Sequence, residues 1–405
     1  MFYLKRLIKK TTLPGLLFTL ILCSACCLFA TAQPYKKLHF RSIVIDTHND
    51  FPSTAIEKKI SLDQDLKGKT HTDLARIFEG GLDAQIFSIW CDGEQQNPYA
   101  WANREIDSVY EWCRRNPDRM VMVYNTAQLK KVVKENKFAA MLGVEGGHMI
   151  EDKLENLDKL FARGVRYMTL TWNNSPSWAT SAKDETLKKD SLPHKGLTDF
   201  GKQVVHRMNE LGMIVDISHV GEQTFWDAIA TTTKPLIASH SCVYNLCPHR
   251  RNLKDDQIIA IGKNGGVIQL NFYAGFLDSN YDKKAEAFKV RHKKEMDELA
   301  AKKIPADYAT IMIAEKYPDE LKLFLPPLSL LLDHLDYIVK LIGVDHVGLG
   351  SDFDGIEAPP FELKGVQDFP LITKALVERG YSKKDIRKIL GENFLRVFEA
   401  NLKSK

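Results

Sequence analysis

Short apolar runs alternate along this chain with longer stretches in which apolar residues return every three or four positions. The runs predict strands at Ser42–Asp46, Ala84–Trp90, Ala139–Val144, Tyr167–Thr171, Met213–Ile217, Pro235–Ser239, Gly266–Asn271 and Val347–Gly350. Most are apolar throughout rather than alternating, as expected of parallel strands covered on both faces. The periodic stretches predict helices at Ala102–Arg115, Lys153–Arg163, Asp199–Leu211, Gln223–Thr231 and Leu328–Ile342. Eight strands alternating with helices point to an α/β chain closed into one (β/α)8 barrel. A length of 405 residues suits that fold, with 33–405 as a single catalytic domain.

Two regions exceed a minimal barrel. Residues 277–326 form a charged insertion with a helical pattern over Lys283–Lys303. Two readings stay open for it: a solvated helical hairpin, or a cover over the barrel mouth, where loops after strands lie. The tail, Lys383–Leu402, reads as one closing amphipathic helix.

The N-terminus changes the charge picture. Residues 1–32 carry Lys5, Arg6, Lys9 and Lys10, then an apolar run from Leu16 to Phe29, then Ala30-Thr31-Ala32. This is the pattern of a cleaved signal peptide, and it predicts export to the periplasm or cell envelope. A lipid-modified Cys23 or Cys26 ranks below that reading. Removing those four bases from 56 leaves 52 against 52 acids. A neutral mature chain offers no bulk charge for nucleic acid. Cys91, Cys113, Cys242 and Cys247 remain after the leader, as disulfides in one of three pairings or as buried thiols.

A barrel metal site draws its ligands from the C-terminal ends of converging strands. Of twelve histidines, only His48, His219 and His240 clearly end an apolar run. In Asp46-Thr47-His48-Asn49-Asp50, His48 and Asp50 point the same way if the strand continues, so imidazole and carboxylate can grip one divalent ion. His71-Thr72-Asp73 has the same spacing but opens a helical pattern, where Thr72 or Asp73 serves as a cap. Glu145 ends the third run, where a buried carboxylate needs a cation: an arginine, or two metals that it bridges. Ser218-His219 and Ser239-His240 end consecutive runs, and imidazoles with carboxylates suit zinc best. Asp352 follows the last run and can accept a proton or bind an ammonium. Asp354-Gly355 fits a loop turn better. Arg251, in Arg250-Arg251-Asn252, can hold a carboxylate by a bidentate pair, or simply lie on the surface.

Together, Asp46-Thr47-His48-Asn49-Asp50-Phe51-Pro52, Gly143-Val144-Glu145-Gly146-Gly147, Ser218-His219, Ser239-His240-Ser241 and Gly350-Ser351-Asp352-Phe353-Asp354-Gly355 resemble the membrane (renal) dipeptidase family of zinc peptidases. Arg250-Arg251-Asn252-Leu253 and Gly391-Glu392-Asn393-Phe394 fit it too, and the likeness runs in order from about residue 40 to 400. It implies a distorted TIM barrel of the metal-dependent hydrolase type with two zinc ions. His48 and Asp50 would hold one, His219 and His240 the other, with Glu145 bridging. Arg251 would take the dipeptide's carboxylate; Asp352 would meet its amine and assist proton transfer. The implied reaction is attack by a hydroxide shared between the metals on dipeptides, including those with a C-terminal D-residue. Some members open the β-lactam ring of carbapenems.

Metals roughly 3.5–4 Å apart can share such a nucleophile at neutral pH. Recognition of both substrate ends limits the length to two residues. The chain departs from the animal enzymes in placing Trp172 where they carry a histidine that holds substrate, and Phe276 where they carry a tyrosine. It looks like a bacterial-type member, and a homodimer is left open. Two other classes remain in play. A deaminase or cyclic amidase of similar barrel type would often bridge its metals through a modified lysine, and no lysine ends a predicted strand. A non-catalytic barrel retaining the metal site is suggested by Trp172 alone.

Overall fold

Phe138–Glu145 has no exposed residue along its eight positions. Such a strand must be covered on both faces, by helices outside and by barrel filling inside. The computed structural model describes residues 34–402, so the expected leader lies outside the described part. Nine parallel strands form one sheet: β1 Ile45–Asn49, β2 Ala84–Trp90, β3 Met120–Met122, β4 Phe138–Glu145, β5 Val165–Thr169, β6 Ile214–Asp216, β7 Ile237–Ala238, β8 Val267–Leu270 and β9 Val347–Leu349. Eight follow the order β1-β2-β4-β5-β6-β7-β8-β9. The ends meet through an Asn49–Phe353 bridge and hydrogen bonds from Asp50 N to Phe353 O and Asp352 N to His48 O. This is a nearly closed (β/α)8 barrel.

Sequence pattern missed the short strand β3. It pairs with Phe138–Ala140 of β4, while β5 pairs with Leu142–Glu145 of the same strand. The register shifts between Leu142 and Gly143 where the partners change. β3 therefore lies off the path of the other eight strands.

Alternate strand residues sort into two cores. Ile45, Ile86, Met141, Tyr167, Ile214 and Val267 pack with Phe394, Leu395 and Phe398 of the C-terminal helix. Glu145 shares the face of Met141 on β4 and so stands at the upper, inner end of the barrel. The intervening residues, among them Phe87, Leu142, Val144 and Val215, pack against the surrounding helices. The tail is not one helix: Lys383–Arg387 and Asn393–Asn401 are separated by a wide turn at Gly391. A Cβ on Gly391 would stand 2.6 Å from Ile43 O, so the tail presses against the strand leading into β1.

The insertion contains helices Tyr281–Arg291, Lys293–Ala301, Ala306–Ala314 and Pro318–Phe324. Phe288, Ile313 and Phe324 give it a small core of its own. Cys91, Cys113, Cys242 and Cys247 are free thiols. Among the described residues, no helix is long and apolar enough to cross a membrane.

Candidate active site

The strand ends carry their side chains to one mouth. His48 lies within β1, and Asp50 follows as the helix Phe51–Lys58 begins. Glu145 is the last residue of β4. His219, His240 and Asp352 come two or three residues beyond β6, β7 and β9. His219 and Asp352 hold left-handed backbone, φ 64° and 61°. For a non-glycine residue this costs on the order of 1 to 2 kcal/mol, the kind of strain that collects at functional sites.

Glu145 faces two groups at once. Its Oε2 is 3.5 Å from His48 Nε2 and accepts from Ser88 Oγ at 3.3 Å. Its Oε1 is 2.8 Å from His219 Nε2 and 3.5 Å from His240 Nε2. His48 Nε2 also lies 3.6 Å from Asp50 Oδ2 and 3.9 Å from Asp352 Oδ1. Two sets of ligand atoms therefore cluster, His48–Glu145–His240 and His48–Asp50–Asp352, each within 4.8 Å. Nε2 of His48 and Oδ1 of Asp50 are buried without a hydrogen-bond partner. Orphaned buried polar atoms are costly, and cations are the groups that would satisfy these. The donor set of imidazoles and carboxylates fits divalent metal ions.

The electrostatics show the same shortage of positive charge. Burial would lower the His48 imidazole, but Asp50, Glu145 and Asp352 outweigh it and push it up to about 10. Burial pushes Asp50 well above the ordinary carboxylate range, with Glu145 and Asp352 adding to it against His48. Glu145 resists its own burial: chiefly the His48 charge, with the close approach of His219 and His240, holds it well below that range. Burial lowers His219 to about 4 and pushes His240 well below the ordinary imidazole value, helped by the Arg251 charge and by His48.

Above the cluster lies a cavity of about 490 Å³. Arg250 and Arg251 line it, as do Glu57, Asp352, Asp354 and Glu357. Arg251 is 5% exposed, and its Nε has no partner. Its guanidinium lies 5.4 Å from the Phe276 ring centre. Burial lowers it to about 10. Asp352 Oδ2 accepts from Asn271 Nδ2 at 2.8 Å, leaving Oδ1 towards His48. Trp172 stands edge-on to Trp90, centroids 5.1 Å apart, and 6.4 Å from the His219 ring. Tyr273, Phe276 and Tyr308 complete the walls, and Tyr308 belongs to the insertion helix Ala306–Ala314.

The structure thus brings His48, Asp50, Glu145, His219, His240, Arg251, Asp352 and Trp172 around one space. The decoys fall elsewhere. Asp73 caps the helix Leu74–Glu79, accepting from Arg76 N. His148 meets Cys91 O, and His346 meets Gly266 O. Asp354 accepts from His71 N at 2.7 Å, so it ties two loops together rather than its own turn. Sequence reasoning did not single out Trp90, Tyr167, Asn271, Tyr273 or Tyr308. Asn271 ends a predicted strand, which was a usable signal; Tyr308 carries none.

A sequence model of the family described as membrane dipeptidase, peptidase family M19, matches residues 32–405. An uncharacterized dipeptidase of Schizosaccharomyces pombe is 33% identical over 387 residues, covering 91% of this chain and 82% of that one. Among solved structures, the probable dipeptidase PvdM from Pseudomonas aeruginosa aligns with a TM-score of 0.75 and 26% identity, over 91% of this chain and 97% of its own. A metallo peptidase from Rhodobacter sphaeroides, liganded with a phosphinate mimic of the dipeptide L-Ala-D-Ala, aligns at TM-score 0.71 and 23% identity, over 89% and 100%.

Proposed function

Because the chain belongs to the membrane dipeptidase family, peptidase family M19, and is a metallo-dipeptidase of that family, we propose that it hydrolyses dipeptides with two zinc ions, C-terminal D-residues included. One observation carries this reading: Glu145 presents one oxygen to His48 and the other to His219 and His240, beneath a cavity lined by both arginines and carboxylates. His48 and Asp50 would hold one zinc, His219 and His240 the other, and Glu145 would bridge them. When bound, the ions supply Lewis acidity and activate water at neutral pH.

The chain's own residues account for selection and proton movement. Arg251, buried with an unpaired Nε, binds the terminal carboxylate. Asp352 meets the free amine through Oδ1, since Asn271 occupies Oδ2. Asp352, whose Oδ1 faces the ligand cluster, is placed to take a proton from water and pass it to the departing nitrogen. Trp172, Phe276 and Tyr308 limit the space and exclude water. A zwitterion suits a cavity lined by groups of both signs. The dipeptide-mimic complex of the Rhodobacter sphaeroides relative supports an L-D substrate. Among the described residues no lysine lines the cavity, so a lysine-bridged deaminase or cyclic amidase lacks its bridging group. The basic, apolar, small-residue leader supports export to the periplasm or cell envelope.

The test is a library of L-L and L-D dipeptides with matching tripeptides, assayed alongside metal analysis of the same sample. The expected result is dipeptide cleavage with two zinc ions per chain and little tripeptide cleavage. Efficient tripeptide cleavage would remove the two-ended recognition by Arg251 and Asp352.

A further inference from the structure

We infer that Tyr167 and Ser239 are positioning residues for the metal site, each fixing which nitrogen of one ligand histidine is free to bind a metal. The inference rests on the ligand assignment just proposed and follows from counting protons. Tyr167 Oη lies 2.8 Å from His48 Nδ1 and 3.0 Å from the carbonyl oxygen of Thr47. A carbonyl only accepts, and a phenol has one proton to give. That proton goes to Thr47, so the phenol oxygen accepts from His48 Nδ1. In the neutral imidazole that binds a metal, the hydrogen of His48 is therefore held on Nδ1, and Nε2 is the nitrogen that a metal can take. Nε2 is also the atom facing Asp50, Glu145 and Asp352.

His240 is held by the same logic through other residues. Ser239 Oγ lies 2.8 Å from His240 Nδ1 and 2.6 Å from Asp216 Oδ2. Asp216 is occupied as an acceptor: Oδ1 receives the backbone N–H of Ser218 and Ser239, and Oδ2 also receives Thr169 Oγ1. The Ser239 proton goes to this carboxylate, so its oxygen accepts from His240 Nδ1. Again Nε2 is left free, 3.5 Å from Glu145 Oε1. His219 has no such support, because its Nδ1 is buried without a partner. Two of the three imidazoles are fixed from behind, one ending on a neutral carbonyl and one on a carboxylate.

Packing shows that the Tyr167 position is built for its ring. A Cβ on Gly143 would stand 2.1 Å from Tyr167 Cζ, so β4 leaves this space empty two residues before Glu145. A phenylalanine would fill the same space. Only the hydroxyl fixes the tautomer, and groups that orient a ligand histidine typically change metal affinity about 10- to 100-fold when lost.

The experiment measures zinc affinity by chelator competition in wild type, Tyr167→Phe and Ser239→Ala, with melting of the metal-free proteins in parallel. Each variant should bind one of its two zinc ions about 10- to 100-fold more weakly, with loss of affinity out of proportion to any loss of metal-free stability. Each substitution deletes one oxygen, one within β5 and one just after β7, so either variant tests the inference if the other fails to fold. Wild-type protein that binds two zinc ions, with both variants binding them within twofold as tightly, overturns this inference alone. Wild-type protein that binds no zinc overturns the ligand reading and this inference with it.

Discussion

The Nε2 atoms of His219 and His240 stand 3.0 Å apart, and both approach the same Glu145 oxygen, at 2.8 and 3.5 Å. Two nitrogen lone pairs at that distance repel, and at most one hydrogen fits between them. A cation ligated by both removes the conflict. Bound metal therefore stabilises the fold through linkage, by about 2.7 kcal/mol per site at free metal 100-fold above Kd. Chelation should lower the melting temperature by several degrees and abolish turnover, and zinc should restore both. Calorimetry with and without chelator checks this; an unchanged Tm would mean that no ion is held here.

Arg251 is buried with an unpaired Nε and a ring face beside it, so its planar fork matters more than its charge. Arg251→Lys should lower kcat/KM for dipeptides about 10- to 100-fold, the loss of one charged hydrogen bond of about 1.5–3 kcal/mol. Steady-state kinetics decides it. Zinc content should stay at the wild-type level, because Arg251 is not among the clustered ligand atoms.

Tyr308 is the insertion's contribution to the cavity wall. It is 38% exposed, so Tyr308→Ala should change stability by about 0.5 kcal/mol or less. Its effect should fall on KM and on the ranking of dipeptide side chains. A ranking identical to wild type in the same library would make the insertion a solvated appendage.

Gly143→Ala places a methyl group in the space of the Tyr167 ring. Overpacking of this kind typically costs about 1–3 kcal/mol. The expected outcome is a lower denaturation midpoint with weakened zinc binding, since the displaced ring carries the hydroxyl behind His48. Denaturant titration and chelator competition on one preparation measure both effects.

These cases also show what sequence pattern could and could not convey. β2, Ala84–Trp90, matched its apolar run end to end, because a strand buried on both faces writes itself into composition. The strand-end histidines and Glu145 were legible for a related reason: a charged or titratable group closing a buried run stands out. Asp73 was legible as a cap because its partner, Arg76 N, is three residues away. Tyr167 was not, because its partners Thr47 and His48 are about 120 residues distant. The three-residue β3 was too short for periodicity to register. The break at Gly391 follows from close approach to the chain entering β1, which only the fold reveals. The left-handed backbone of His219 and Asp352 is only weakly signalled by residue type, although histidine and aspartate are enriched in that conformation.

The most direct test of the central claim is to return zinc stepwise to metal-free protein while following hydrolysis of one L-D dipeptide. The account predicts that activity requires two equivalents per chain, and that Glu145→Ala loses more than the roughly 100-fold typical when a group behind a ligand is removed. Full activity at one equivalent, or wild-type turnover by Glu145→Ala, would contradict a bridged two-metal dipeptidase.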